Sequence, residues 1–211
     1  MCDLTTQAFE IADRFRNPVV LLADAFVGQV MEPVPFPTQP LEAPIIGWAV
    51  QGNGETRHNM ISSIHLQYQT LEDHVLHLQT KYQRAAEHCT QCELYRTDDA
   101  EVILVGYGIV SRMLRSVVDL GRSQGVKLGL FRPISLWPFS SRELEQAAGA
   151  SKSLFVCELS WGQMLEDVRL AMGTQFPIYF YGRMGGMVPT TEELFRQVSA
   201  SFERRPVFAD K

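Results

Sequence analysis

The stretch Glu101-Val102-Ile103-Leu104-Val105-Gly106-Tyr107-Gly108 decides the fold. Four apolar residues stand in a row, without the polar alternation of a half-solvated strand. That is the pattern of a strand covered on both faces. The Gly-Tyr-Gly that follows reads as a tight turn, and residues 109–123 as a helix. Strand, turn and helix in this order begin a parallel crossover unit. The rhythm continues to residue 199. Residues 126–131 read as a second strand, followed by the loop Arg132-Pro133-Ile134-Ser135-Leu136-Trp137-Pro138-Phe139 and a helix capped by Ser140 or Ser141 and ending near Gly149. Residues 153–158 form a third strand, with a helix over about 162–172. Residues 177–181 form a fourth, then come the loop Gly182-Arg183-Met184-Gly185-Gly186-Met187-Val188-Pro189 and a last helix opened by Thr190 or Thr191, with Glu192 or Glu193 near its first turn. The expectation for residues 100–211 is one α/β domain, a mostly parallel sheet with helices on both faces. Functional loops in such sheets lie at the carboxyl ends of the strands.

Outward from this domain the pattern is less regular. A helix is expected over residues 6–16, capped by Thr5 or Thr6 and stopped by Asn17-Pro18. The run Val19-Val20-Leu21-Leu22-Ala23 reads as a buried parallel strand with Asp24 at its carboxyl end. One helix and one strand do not make a stable doubly wound sheet, so residues 1–33 either add to the later sheet or, the favoured expectation, are the tail of a larger domain. Pro33, Pro35, Pro37, Pro40 and Pro44 mark a semi-extended linker, and Gln51-Gly52-Asn53-Gly54 a turn. Between them, residues 45–50 could form a short strand. From 59 to 89, Ile61, Ile64, Tyr68, Leu71, Val75, Leu78 and Tyr82 recur at spacings of 3 and 4, which predicts a long amphipathic helix, either continuous or broken near Gln69. Its solvated face would carry Glu72, Asp73, His74, His77, Lys81 and Arg84.

Bulk properties exclude several classes of function. The net charge of −5 and the absence of a basic run argue against sequence-independent nucleic-acid binding, which needs Lys and Arg on phosphates. With 45% hydrophobic residues among 211, the chain can build a core without staples. No apolar run reaches the ~18 residues of a membrane span, and the first residues do not read as a signal peptide. Four scattered cysteines suggest reduced thiols and a cytoplasmic setting.

Few residues stand out chemically. Gly106-Tyr107-Gly108 could turn amides toward a phosphate, or could simply be a tight turn; a third glycine of the dinucleotide pattern is missing at Ser111. Arg132 could meet an anion or a carboxylate across an interface, or make a surface salt bridge. Glu158 and Gln163 flank the end of the third strand, where a ligand or neighbouring subunit would sit; alternatively Glu158 bonds amides of the next helix. Arg183, Gly185 and Gly186 lie in the most distinctive loop, open to close approach by a cofactor or subunit. His88-Cys89-Thr90-Gln91-Cys92 is half of a metal site with no second half, and Cys157 reads as a small core residue.

Four stretches together and in order carry a resemblance: residues 8–33, residues 132–139, residues 158–167 with Gly162-Gln163-Met164 and Glu166-Asp167-Val168-Arg169, and residues 181–190. In these the chain resembles the alpha subunit of 2-oxoacid:ferredoxin oxidoreductases, above all the 2-oxoisovalerate (branched-chain) type. The resemblance implies a transketolase C-terminal-like domain over 100–211, a linker and helix over 34–99, and the end of a thiamine-diphosphate pyrimidine-type domain over 1–33. It implies oxidative decarboxylation of a 2-oxoacid to an acyl-coenzyme A, with electrons passed to ferredoxin. Thiamine diphosphate, Mg and an iron–sulfur cluster would belong to the assembled complex. The family's activating glutamate has no counterpart here, so the chain alone is expected to bind none of these and to be inactive. Expected partners are the beta and the gamma- or delta-type subunits, with coenzyme A and ferredoxin reached through them; no nucleic acid and no membrane is expected. Arg132, Glu158, Gln163, Arg183, Gly185 and Gly186 become candidates for inter-subunit or near-cofactor contacts. The chain is expected to be oligomeric. The competing readings are a non-catalytic assembly or dimerisation module derived from that subunit, and a small-ligand domain using the Gly106 turn.

Overall fold

A computed structural model describes residues 1–36, 39 and 46–201. The chain divides into two compact units, Met1–His88 and Cys89–Lys211.

The first unit begins with α1, Cys2–Phe15. It starts earlier than the threonines suggest, with Met1 as its cap residue. Thr5 turns its hydroxyl back onto the Met1 carbonyl at 3.0 Å, so it sits inside the first turn instead of capping it. Arg16, left-handed at φ 45°, ends the helix. The run 19–23 is extended but pairs with no strand, and Val20 and Leu22 are exposed. The expected buried strand is not there, because nothing among the described residues offers it a backbone partner or covers its faces. Asp24 instead caps a short helix, α2, Ala25–Gln29, its carboxylate accepting from the Val27 amide at 2.8 Å.

The possible strand at 45–50 is also corrected. Ile45, like Pro37, Pro40 and Pro44, lies outside the described residues, and 46–50 form a turn. The Asn59 amide donates to the carbonyls of Gly47 and Ala49 at 3.0 and 3.1 Å, occupying groups a ladder would need. A 3₁₀ turn spans Arg57–Asn59. The long helix, α3, is Tyr68–Cys89, so it begins beside Gln69, where the alternative placed a break, and does not extend back to 59. Ser62 accepts from the Ile64 amide at 3.2 Å, a local bond that competes with helix. Ile61 and Ile64 therefore belong to an extended segment.

The second unit has the expected architecture. Its strands are β1 Cys92–Tyr95, β2 Val102–Val105, β3 Leu128–Pro133, β4 Ser153–Glu158 and β5 Ile178–Gly182. They are ordered β1-β3-β2-β4-β5, with β1 antiparallel to β3 and the others parallel. The helices are α4 Gly108–Ser123, α5 Ser141–Ala148, α6 Gln163–Met172 and α7 Thr191–Ser201. Alternation along β2 divides the core. Ile103 and Val105 pack with Leu144 and Ala148 of α5 and Met164, Leu165 and Val168 of α6. Val102 and Leu104 pack with Leu114 and Val118 of α4 and Leu194 and Val198 of α7. Both faces are thus covered, and each large side chain buried there contributes about 1.5–3 kcal/mol. β1 is a strand that the sequence reading did not include. Its register sets Cys92 opposite Pro133, which explains why β3 runs two residues beyond its expected end.

Candidate functional site at the carboxyl edge of the sheet

The parallel strands reverse their winding between β2 and β4, the place where open α/β sheets form a crevice. The Gly106-Tyr107 turn follows β2, the segment 159–162 follows β4, and the glycine-rich loop follows β5.

Glu158 ends β4 and is only 1% exposed. Its carboxylate accepts from the Ser160 hydroxyl, from the Met164 amide at 3.2 Å and from the Leu165 amide at 3.3 Å. The cap position of α6 is Gly162 in the left-handed region at φ 101°, with no side chain to offer. Glu158 supplies the missing acceptor from four residues upstream, and its charge suits the positive end of the helix. Of the two readings of Glu158, the bond to the next helix is the one found. Beside it, burial pushes the Cys157 thiol up to about 12, helped by the charges of Glu158 and Glu193, so it is an inert core residue. The Asp167 carboxyl is pushed up by burial, then by Glu166 and Glu158.

β4 and β5 bring Arg183 alongside: its amide donates to the Glu158 carbonyl at 3.1 Å. Its guanidinium donates to Glu193 Oε1 at 3.0 Å and to the Tyr181 hydroxyl at 3.4 Å, while that hydroxyl donates to Glu193. Thr190 accepts from the Glu193 amide at 3.1 Å and caps α7, as the sequence suggested. The Glu193 side chain, however, reaches to Tyr181 and Arg183. The sequence reading saw Glu193 only as a first-turn acid and missed this three-residue clamp. Its signal was the acid ten residues after Arg183, on the helix that the loop enters.

Arg132 is not brought to this cluster. It lies on β3, beyond β2, and donates to Glu93 of β1 at 2.9 Å; Arg115 contacts the same carboxylate. Burial, then the nearby charge of Arg112, pushes the Arg132 guanidinium down from its ordinary value. Gln163 is exposed on the first turn of α6. Gly185 and Gly186 are exposed at φ 65° and 82°, and a Cβ on either would meet open space. They are needed for the path of the turn and not for close packing within this chain. Gly182 differs, since a Cβ there would lie 2.6 Å from the Ser160 carbonyl oxygen. Four large apolar side chains stand out in the loops after β3, β4 and β5: Trp137, Trp161, Met184 and Met187. The edge therefore spends its polar groups internally and presents aromatic and thioether surface outward.

The half motif at 88–92 is divided between the end of α3 and the start of β1. Among the described residues no three His, Cys, Asp or Glu side chains gather where a metal ion could be held. An iron–sulfur cluster would need such a gathering, and no step is derived through it or through magnesium. No helix among them is long and apolar enough to cross a membrane.

The clamp carries a pH dependence. The Tyr181 hydrogen bond, then Arg183, holds the Glu193 carboxyl below its ordinary value. A depressed carboxylate stabilises above its unfolded pKa, about 4.3, and that contribution is lost as pH falls through the native value. Burial, then Glu193, raises the Tyr181 phenol, so its contribution is present below about 10 and is lost as pH rises through the native value. Glu193→Gln should lower stability by about 0.5–1 kcal/mol at pH 7, a small value because solvent screens a partly exposed pair. Thermal melts of both proteins from pH 7 to pH 3 should converge; a constant gap would show that the charge is not involved.

Residues 100–194 match the family model of the pyruvate:ferredoxin oxidoreductase core domain II. The chain is 43% identical over 199 residues to the ketoisovalerate oxidoreductase subunit VorB of Methanothermobacter thermautotrophicus, across 94% of this chain and 56% of that one. It is 26% identical over 223 residues to the 2-oxoglutarate synthase subunit KorA of Methanothermobacter marburgensis, across 93% and 60% respectively. Among solved structures it is similar to the 2-oxoglutarate:ferredoxin oxidoreductase of Magnetococcus marinus, with a TM-score of 0.55 at 18% identity over 64% of this chain and 24% of that one. At that identity the likeness is one of fold. The chain spans a little over half the length of the curated relatives it matches. Residues 100–194 thus form a domain similar to core domain II of pyruvate:ferredoxin oxidoreductase, built on a mostly parallel sheet, and across nearly its whole length the chain is similar to ketoisovalerate oxidoreductase and 2-oxoglutarate synthase subunits.

Proposed function

We propose that the chain supplies the second-domain scaffold of the alpha-type subunit of a 2-oxoacid:ferredoxin oxidoreductase, with 2-oxoisovalerate as the acid. The observation that carries this reading is the 43% identity to a ketoisovalerate oxidoreductase subunit over 94% of the chain. In the assembled enzyme a 2-oxoacid is oxidatively decarboxylated to an acyl-coenzyme A and ferredoxin takes the electrons. Thiamine diphosphate supplies the carbanion-stabilising chemistry there, and protein groups supply placement and electrostatics. Residues 1–33 correspond to the end of the pyrimidine-type domain, 34–99 to a linker and helix, and 100–211 to the second domain. The cofactor, Mg and the iron–sulfur cluster are held by other segments and subunits, and the complex is cytoplasmic. Within it, Gln163, Gly185 and Gly186 face a neighbouring subunit along with Trp137, Trp161, Met184 and Met187. Arg183 and Glu158 hold that surface in shape, and Arg132 braces the opposite side of the sheet.

The self-contained polar network also favours the second reading, an assembly module without catalytic residues of its own. Co-expression with the beta- and gamma-type subunits and with an alpha-type segment covering the rest of the relatives' length, followed by affinity purification and a coenzyme A-dependent dye-reduction assay with 2-oxoisovalerate, separates the two. Turnover by the complex and none by the chain alone supports the oxidoreductase reading. A complex that assembles but stays silent supports the module. Decarboxylation by the isolated chain with added thiamine diphosphate would overturn both.

A further inference from the structure

The first unit holds a pocket of about 520 Å³ whose charge runs against that of the acidic chain. Arg14, Arg16, Lys81 and Arg84 line it, with His74, His77 and His88, and no aspartate or glutamate is among its lining residues. α3 contributes positions 74, 77, 81, 84 and 88, steps of three and four that place them on one helical face. The histidines expected on a solvated face thus share that face with the pocket's cations.

Three of the four cations are held, and by neutral groups. Arg16 donates to the Asn59 carbonyl at 2.6 Å and lies 4.9 Å over the Trp48 ring. Lys81 donates to Asn17 Oδ1 at 3.1 Å and to the Arg16 carbonyl at 3.5 Å. Arg14 lies 5.4 Å from the Phe15 ring. None of the four pairs with a carboxylate among the described residues. His88 donates from Nδ1 to the Arg84 carbonyl at 2.8 Å, since a carbonyl oxygen only accepts. Neutral oxygens position these side chains without cancelling their charge, and cations within a Debye length of each other repel.

We propose that this pocket binds a diphosphate-bearing anion. Guanidinium forks match phosphate oxygens in pairs, and four permanent cations suit a ligand of several negative charges better than a single carboxylate. The volume exceeds what one phosphate fills and falls in the range of small-ligand sites. Phe15, Ile61 and Leu78 line the remainder, a surface on which an organic body attached to the phosphates can lie. The proposal does not rest on the oxidoreductase reading.

Calorimetric titration of the chain with inorganic pyrophosphate, in magnesium-free buffer of low salt, tests it. One-to-one binding is expected, weakening as salt is raised. Arg14 and Arg84 are exposed and their guanidinium groups make no hydrogen bond among the described residues, so Arg14→Gln with Arg84→Gln should leave the melting temperature in place. Affinity should fall about tenfold or more for each charge-assisted bond removed. Arg84→Glu alone should repeat the loss by charge reversal. An ADP arm distinguishes the sources of the diphosphate: tighter binding than pyrophosphate assigns an organic body to the apolar wall, and equal binding assigns a bare diphosphate. No saturation by millimolar pyrophosphate, or affinity unchanged in both variants, overturns the proposal.

Discussion

Glu158→Ala should cost the second unit about 3–4 kcal/mol, because two buried amides and a hydroxyl lose their common acceptor at once. The Met164 and Leu165 amides belong to the first turn of α6, whose cap residue has no side chain to take over. Water does not easily replace the carboxylate at a site 1% exposed. Urea titration followed by far-ultraviolet dichroism should show a lowered midpoint with an unchanged slope. Glu158→Gln keeps the volume and one acceptor oxygen, but sets an amide donor against amide donors, so it should fall between the two. Should the alanine protein unfold at the native midpoint, the carboxylate is free for a ligand after all, and the reading made first from its position at a strand end regains its place.

Gly182→Ala is expected to lower stability by about 2–3 kcal/mol, the range for overpacking a site whose neighbour cannot yield. The new methyl would sit 2.6 Å from the Ser160 carbonyl oxygen and 2.8 Å from the Phe180 ring. The ring can turn, whereas the carbonyl belongs to the segment that Glu158 ties down through the Ser160 hydroxyl. Relief must therefore come from parting the ends of β4 and β5, which also strains the bond from the Arg183 amide to the Glu158 carbonyl. A thermal melt measures the first effect, and, on the proposed function, the signature of the second is a loss of assembly with partner subunits larger than the stability change alone predicts. Alanine at Gly182 that melts with the native protein would mean the loop after β4 is looser than its hydrogen bonds imply.

The second unit was legible because its strands are governed by burial. β2 is apolar along its whole length and β4 between its terminal Ser153 and Glu158, both are buried throughout, and β4 runs from Ser153 to Glu158 as the pattern reads. β1 was not legible: four residues of mixed polarity, antiparallel at an edge, leave no periodic trace, and its cysteine drew a metal reading instead. The run at 19–23 shows the reverse error. Its letters resemble those of β2, but a strand exists only with a neighbour, and pairing is not written in a strand's own residues. The candidate site divides in the same way. That Glu158, Arg183 and the glycine loop lie at one end of the sheet follows from strand order. That Glu158 reaches forward to α6, and Glu193 back to Arg183, depends on side-chain reach across a turn, which spacing alone does not encode. The solvated face expected for His74 and His77 is found, His77 being exposed and His74 half-buried, but α3 leaves Leu71, Val75 and Leu76 exposed as well.

The segment 19–23 makes no backbone hydrogen bond among the described residues, carries no charge and is rich in β-branched and aliphatic letters. Peptide groups left idle in so greasy a stretch can recruit a like stretch from another molecule, because each copy is a template for the next. Copies kept dilute are therefore expected to stay apart, and concentrated ones to associate through this stretch, which light scattering against concentration would measure.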